Sequence, residues 1–392
     1  MSGSQVLTLS QQIGAKEWHE LALYHLGRYY LNLCQFNDSI IQFEQLLQLT
    51  HDTGNRMLEA AAFWGLGGNY RYLGQYQKAI ECFQKQLAIS CEINDRSWQI
   101  SALEGLGGVY QFLGQYQQSL DYSQQCLVIA HETNDINSQA GILSNSGGIY
   151  LLIQQWEKAI ELSEKSLELA TEVNNKDIQA RSLRNLGQAY KSLGQYQKAR
   201  DLLERALTIS SEIGEKALLS NILGSLCGIF FETHQLEQAI EYSQKASNIA
   251  SEVGNKSGEA HALWWIGTAY NKLGRYQKAL EYEKQALVIF HNIGERQNEQ
   301  YLLYNIANEY FSLKQYPQAM GFYQSALSLA QELNNRREEA KASHLLGVTF
   351  HNLGRNTEAI SYYRQGYSIY KELGDETQAQ ECWKGLSQLG AE

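Results

Sequence analysis

Proline is all but missing: Pro317 is the only one in 392 residues. A proline inside a helix removes a backbone donor and kinks the axis, so its absence leaves long helices uninterrupted. Cysteine is sparse and unpatterned. Cys34, Cys82, Cys91, Cys126, Cys227 and Cys382 form no C-x-x-C pair, which points away from zinc modules and disulfide scaffolds and towards reduced thiols in a cytoplasmic protein. No stretch approaches the roughly 18 consecutive apolar residues of a membrane span. The opening MSGSQVLTLS lacks the basic region and apolar run of a secretory signal. Positive charge is in deficit: 32 Lys and Arg stand against 42 Asp and Glu, a net charge of −10. Non-specific nucleic-acid binding needs a basic footprint, so that class of partner is not expected.

The motifs of catalysis are missing as well. There is no H-E-x-x-H, and His131-Glu132 stands alone. The G-L-G-G runs at 65–68 and 105–108 lack G-x-G-x-x-G spacing and lie inside helical patterns, so no phosphate cradle is expected. His25, His261, His344 and His351 make no compact ligand set. No Ser/His/Asp or Cys/His constellation stands out. The chain reads as a non-enzyme with no cofactor and no metal.

What is present is repetition. Ser182–Lys216, SLRNLGQAYKSLGQYQKARDLLERALTISSEIGEK, holds two apolar-periodic segments joined by a Gly-containing turn. Leu183, Leu186, Gly187 and Tyr190 mark one helical stripe, and Ala199, Leu202, Leu203, Ala206, Ile209 and Ile213 mark another. Shifting by 40 residues recovers the pattern, and nine helical hairpins follow: 17–55, 56–95, 96–135, 136–175, 176–215, 216–255, 256–295, 296–335 and 336–375. In each, helix A is followed by helix B. A repeat array is one continuous stack, so length does not argue for separate globular domains.

The punctuation keeps the same period. Gly14, Gly54, Asn94, Asn134, Asn174, Gly214, Gly254, Gly294, Asn334 and Gly374 are the two residue types that best accept the left-handed conformation ending a helix. Asp95, Asp135, Asn175, Asn255, Asn335 and Asp375 are N-cap candidates for the next helix. Gly74, Gly114, Gly194, Gly274 and Gly354 mark turns inside hairpins. Residues 1–16 match the tail of a helix B whose partner is missing, either as a half-helix cap or as the remnant of a longer array. Residues 376–392 predict a capping helix with Trp383 and Leu386 inward and a polar outer face, the natural end of a stack.

These residues resemble the tetratricopeptide repeat (TPR). A small residue recurs in helix A (Gly27, Gly67, Gly107, Gly147, Gly187, Cys227, Gly267, Ala307, Gly347), with an aromatic three positions later, from Tyr30 to Phe350. A second small residue recurs early in helix B (Ser39, Ala79, Ser119, Ala159, Ala199, Ala239, Ala279, Ala319, Ala359). The 40-residue period is longer than the usual TPR and is similar to the Pins/LGN and kinesin light chain arrays. The resemblance implies an all-α fold, a right-handed α-solenoid superhelix of nine hairpins plus the capping helix, with helix A lining a groove. It also implies a protein-protein interaction scaffold or adaptor that binds an extended or helical peptide. The alternative is a regulatory sensor module for a separate or missing effector domain.

The groove columns of helix A fall into three zones. Hairpins 2–4 are glycine-lined: Gly65, Gly68, Gly105, Gly108, Gly141 and Gly148 sit beside Trp64, Arg71, Tyr72, Gln111, Phe112 and Asn145. Mid-helix glycines cost about 1 kcal/mol each against alanine. Either a ligand approaches the bare backbone there, or the neighbouring hairpin does. Hairpin 5 is basic, with Arg181, Arg184 and Lys191 beside Asn185 and Gln188. Hairpins 7–9 carry Trp264, Asn271, Tyr301, Tyr304, Asn305, Asn308, Phe311 and His344. Seven basic residues (Arg28, Arg71, Arg181, Arg184, Lys191, Lys272, Lys341) against Glu104 and Glu232 run counter to the bulk charge, which predicts a protein or peptide partner with acidic and apolar residues. By resemblance, Asn145, Asn185 and Asn305 would hold the ligand backbone. Hairpin 6 departs from the pattern at Cys227, Leu236, Gly224 and Gly228, which marks it as a candidate weak joint.

Overall fold

The computed structural model describes residues 16–391. Among them stand nineteen α-helices and no strand. By contact the chain divides into two compact units, Met1–Gly194 and Gln195–Glu392. The first holds α1 (Lys16–Asn32), α2 (Phe36–Thr53), α3 (Arg56–Tyr72), α4 (Tyr76–Glu92), α5 (Arg96–Phe112), α6 (Tyr116–Glu132), α7 (Ile136–Leu152), α8 (Trp156–Glu172) and α9 (Lys176–Ser192). The second holds α10 (Tyr196–Ile213), α11 (Lys216–Glu232), α12 (Leu236–Glu252), α13 (Lys256–Lys272), α14 (Tyr276–Ile293), α15 (Arg296–Ser312), α16 (Tyr316–Glu332), α17 (Arg336–Asn352), α18 (Asn356–Glu372) and α19 (Glu376–Gln388). The expected helix remnant at the N-terminus lies outside the described residues, except for Lys16, which opens α1.

The turns follow the residue types. Gly54, Asn94, Asn134, Asn174, Gly214, Gly254, Gly294, Asn334 and Gly374 all have φ between 52° and 75°, so the left-handed residue ends each helix B. Asp95, Asp135, Asn175, Asn255, Asn335 and Asp375 then accept a hydrogen bond from the backbone N–H three residues on. Inside the hairpins the same conformation falls on Gly74, Gly114, Gly194, Gly274 and Gly354. It also falls on Cys34, Gln154, His234 and Lys314, side chains that adopt it at a cost.

Each unit is a stack in which a helix contacts its chain neighbours. First helices of successive hairpins also touch: α1 with α3, α3 with α5, α7 with α9, α11 with α13, and α17 with α19. Within each unit these first helices lie side by side. Close approach depends on rings seated against glycine. Phe43 lies between Gly27 and Gly65, Phe83 between Gly67 and Gly105, and Tyr363 between Gly347 and Gly385, where an added Cβ would come within 2.3–2.9 Å of ring carbon. On the outer side, Arg56–Glu92, Arg96–Glu132, Lys216–Glu252, Arg296–Glu332 and Arg336–Glu372 repeat one ion pair between the start of helix A and the end of helix B. They are exposed, and such pairs add little stability. No helix among the described residues is long and apolar enough to cross a membrane.

Candidate functional site

The first unit contains a cavity of about 720 Å³ on the face formed by its first helices. Of the residues expected to bind, Trp64, Gly68 and Arg71 from α3, Gln111 from α5 and Asn145 from α7 line it, together with Tyr72 at the end of α3. Phe112 stands beside them. The Arg71 guanidinium lies 5.2 Å from the Tyr72 ring centre and 6.0 Å from that of Phe112. Both rings are themselves braced, Tyr72 by Phe36 and Phe112 by Tyr76, in stacked pairs. Arg71 therefore presents its charge from a two-ring mount, an arrangement suited to planar recognition of an anion. Its Nε is buried without a hydrogen-bond partner. Glu104, open to the cavity, is the acidic residue on the wall, and desolvation by the surrounding protein raises its carboxyl pKa.

The glycines divide between the two readings. Gly65 and Gly105 are occupied by the rings of Phe43 and Phe83, so packing demands them. Gly68 has nothing within 4 Å of an added Cβ and opens to the cavity. At Gly108 the added Cβ would stand 2.7 Å from Arg71 Nη1, so this glycine makes room for the guanidinium. Gly141 and Gly148 meet only Ile178 and Asn185, at 3.7 and 3.8 Å.

Other lining residues escaped the reading of helix A columns. Leu31, Asn32, Cys34 and Phe36 come from hairpin 1, and Ser119, Ser123 and Cys126 come from helix B of hairpin 3. The available signal was the sequence column Phe43, Phe83, Ser123, in which the ring is lost at the third repeat. Burial pushes the Cys126 thiol up to about 12, which disfavours its thiolate.

The other two zones differ from expectation. Asn185 is 2% exposed, its Nδ2 donates to the Ser144 carbonyl at 2.9 Å, and its Oδ1 accepts from Arg184 at 3.0 Å. It ties α9 to α7, and both ends of its amide are bonded within the protein. Arg184 is itself packed inward, its pKa lowered by desolvation and by neighbouring Arg181. Arg181 is paired with Asp177 at 3.0 Å. Gln188 and Lys191 are half-buried on the same helix. Hairpin 5 is thus not a field of unpaired cations.

In the second unit Tyr304 is a core residue and not a groove residue. It is 2% exposed, and its hydroxyl donates to the Glu338 carbonyl at 2.8 Å. Tyr301 is exposed and stacks on Trp264. Phe311 packs edge-on to Tyr316, and exposed Asn308 accepts from the Tyr323 hydroxyl at 2.5 Å. Half-buried His344 is pushed towards its neutral form by desolvation. The groove of about 500 Å³ between α14, α15 and α16 is lined by none of the expected residues.

Asn271 and Asn305 serve a buried acidic pair. Glu283 and Glu309 are both 0% exposed. Glu283 sits against Gly267, where an added Cβ would be 2.4 Å from its Cγ. Asn271 Nδ2 donates to Glu309 Oε1 at 2.9 Å, while both Glu283 oxygens and Glu309 Oε2 lack partners. Desolvation, then the Glu309 charge, push Glu283 up to about 9, opposed by the nearby Asn305 amide. Desolvation pushes Glu309 up to about 7. No group of three or more His, Cys, Asp or Glu among the described residues is placed to hold a metal.

The sequence profile of the tetratricopeptide repeat matches residues 18–92, 58–131, 138–212, 218–290 and 299–372. Among curated proteins no sequence matches. Solved structures of similar fold include a Signal Transduction ATPase with Numerous Domains protein with a tetratricopeptide repeat sensor, from Pyrococcus horikoshii. It is 15% identical over 88% of this chain and 55% of that one, with a TM-score of 0.65. The apo quorum sensor NprR from B. thuringiensis is 16% identical over 92% of this chain and 99% of its own, with a TM-score of 0.57. Aspartyl phosphate phosphatase F from Bacillus subtilis is 16% identical over 82% and 91%, with a TM-score of 0.50. At these identities the likeness is one of fold.

Proposed function

The chain belongs to the tetratricopeptide repeat family, and on that basis we propose that it is a protein-interaction module that holds a peptide in the cavity of its first unit. The observation that carries this reading is Arg71, mounted on Tyr72 and Phe112 with an unpartnered Nε beside an open cavity. Gln111 and Asn145 supply amides for a peptide backbone, Trp64 and Tyr72 supply apolar walls, and Gly68 lets the ligand approach the helix backbone. The favoured ligand carries an acidic group and apolar side chains. No step of chemistry is required of the site.

Selection of a displayed random-peptide library on the full chain tests the reading. Enriched sequences should combine Asp or Glu with large apolar residues. Arg71→Gln/Tyr72→Ala protein should bind them about tenfold more weakly or worse. Undiminished affinity in that variant would end the assignment.

A second reading, a regulatory sensor, draws on two proteins of similar fold, one with a tetratricopeptide repeat sensor and one a quorum sensor. It expects the selected peptide to alter hydrogen exchange well outside hairpins 1–4, whereas a simple tether alters it only there.

A further inference from the structure

The inner end of the cavity has a specific origin. In hairpins 1 and 2, Phe43 and Phe83 fill the space between a glycine of their own hairpin and a glycine of the next. Hairpin 3 has Ser123 at that position, and Asn145 follows where Gly65 and Gly105 stand before it. No ring reaches Gly107, the counterpart of Gly67. The nearest atoms to its added Cβ are those of Ser119 and the Tyr122 Cβ, at 3.4–3.6 Å, where Gly67 meets the Phe83 ring at 2.8 Å.

Ser123, Cys126, Ile142 and Ile149 line the space left open. Two of its polar groups, on Ser123 and Cys126, are already satisfied by the protein, while the Asn145 amide stays open to the cavity. Ser123 Oγ donates to the Ser119 carbonyl at 3.1 Å, and Cys126 Sγ faces the Ile100 carbonyl at 3.7 Å. The Ile142 and Ile149 side chains on its wall lack the dispersion partners that a core ring would supply. This is the socket of a missing core ring, opening into the same cavity as Arg71.

The structure assigns to this socket a ligand ring: a peptide segment with an aromatic side chain that completes the core at Ser123, and with one carboxylate close enough to pair with Arg71. This rests on the reading of the cavity as a peptide site and narrows it to a ligand pattern. Glu104 on the wall disfavours a run of acids, so a single carboxylate is matched to the single guanidinium.

The probe is 3-phenylpropionate, a ring and a carboxylate on a short linker. It is titrated against the full chain by ligand-observed NMR, beside propionate and 3-phenylpropanamide. Saturable binding of 3-phenylpropionate is expected. Both controls, and Arg71→Gln protein with the probe, should bind about tenfold more weakly or worse. Ser123→Phe/Asn145→Gly rebuilds the Phe83–Gly105 pairing, so it should lose the probe while its unfolding temperature holds or rises. If that variant misfolds, Ser123→Leu, which copies Leu203 of hairpin 5, serves in its place.

Absence of probe binding to the native chain, or equal binding after the socket is filled, overturns the inference. Selected peptides that still bind the filled-socket variant would leave the peptide site standing and remove the ring. Probe binding that is lost on filling, with no peptide selected at all, would remove the peptide reading and leave a site for small aromatic acids.

Discussion

Gly65 and Gly68 lie three residues apart in α3 and face opposite surroundings. An alanine at 65 would put its Cβ 2.3 Å from the Phe43 ring, in the middle of a packed hairpin contact. At 68 the same methyl would meet nothing within 4 Å. Gly65→Ala should therefore destabilise the chain by about 1–3 kcal/mol through overpacking, despite the gain in helix propensity. Gly68→Ala should stabilise it by about 0.5–1 kcal/mol and weaken ligand binding. Denaturant melts of the two variants separate these outcomes, and equal shifts of the same sign would contradict the assignment. Sequence periodicity placed both residues on helix A. It could not say which one a ring covers, because that ring comes from a different hairpin. The same limit applies to Asn185 and Tyr304, whose columns suggested exposure. Their side chains reach across to Ser144 and Glu338, and only the packed helices reveal those acceptors.

At the scale of elements, α13, α14 and α15 enclose two carboxyls where other hairpins bury rings or small residues. Glu283 stands in the column of Phe43, Phe83 and Tyr363, and Glu309 in that of Val109 and Ile149. Burial without a cation raises both pKa values, so the folded state holds protons that the unfolded chain releases. The sign follows from linkage. The contribution is complete below the ordinary carboxyl value near 4.5, and it is lost as pH rises through about 7 for Glu309 and about 9 for Glu283. Stability should fall across that window. Glu283→Gln removes the titrating charge from the core and should raise stability at the alkaline end by about 1–3 kcal/mol. Thermal melts from acid to alkaline pH check this: a fall between about pH 7 and 9 retained in Glu283→Gln would refute it. The unusual residues are visible in the sequence columns, but their juxtaposition depends on how α14 seats between its neighbours.

On the scale of the whole molecule, stacked repeats draw stability from their neighbours. α19 packs on hairpin 9, with Ala379 and Cys382 clustered against Ile369 and Tyr370, and Leu386 in the cluster that holds Tyr363. A chain ended at residue 375 would expose those faces, and it should lose about 3 kcal/mol of protection in hairpin 9. Hydrogen exchange should quicken in α17 and α18 and stay unchanged in the first unit. Uniform acceleration along the chain would contradict nearest-neighbour stability.

The amino-acid sequence alone determined the helices, their turns and their repetition, because each depends on local chemistry. Left-handed Gly and Asn end the second helices, Asp and Asn cap the first, and small residues recur at close contacts. The same periodicity places Trp64, Arg71, Tyr72, Gln111 and Asn145 on first helices. Tertiary structure decided which candidates meet. The cavity reaches the position where Ser123 follows two phenylalanines in the column. Arg71 faces it because Tyr72, Phe112 and Gly108 support its guanidinium from two different hairpins. A void and a mounted charge arise from side chains 40 residues apart, so spacing along one helix does not encode them.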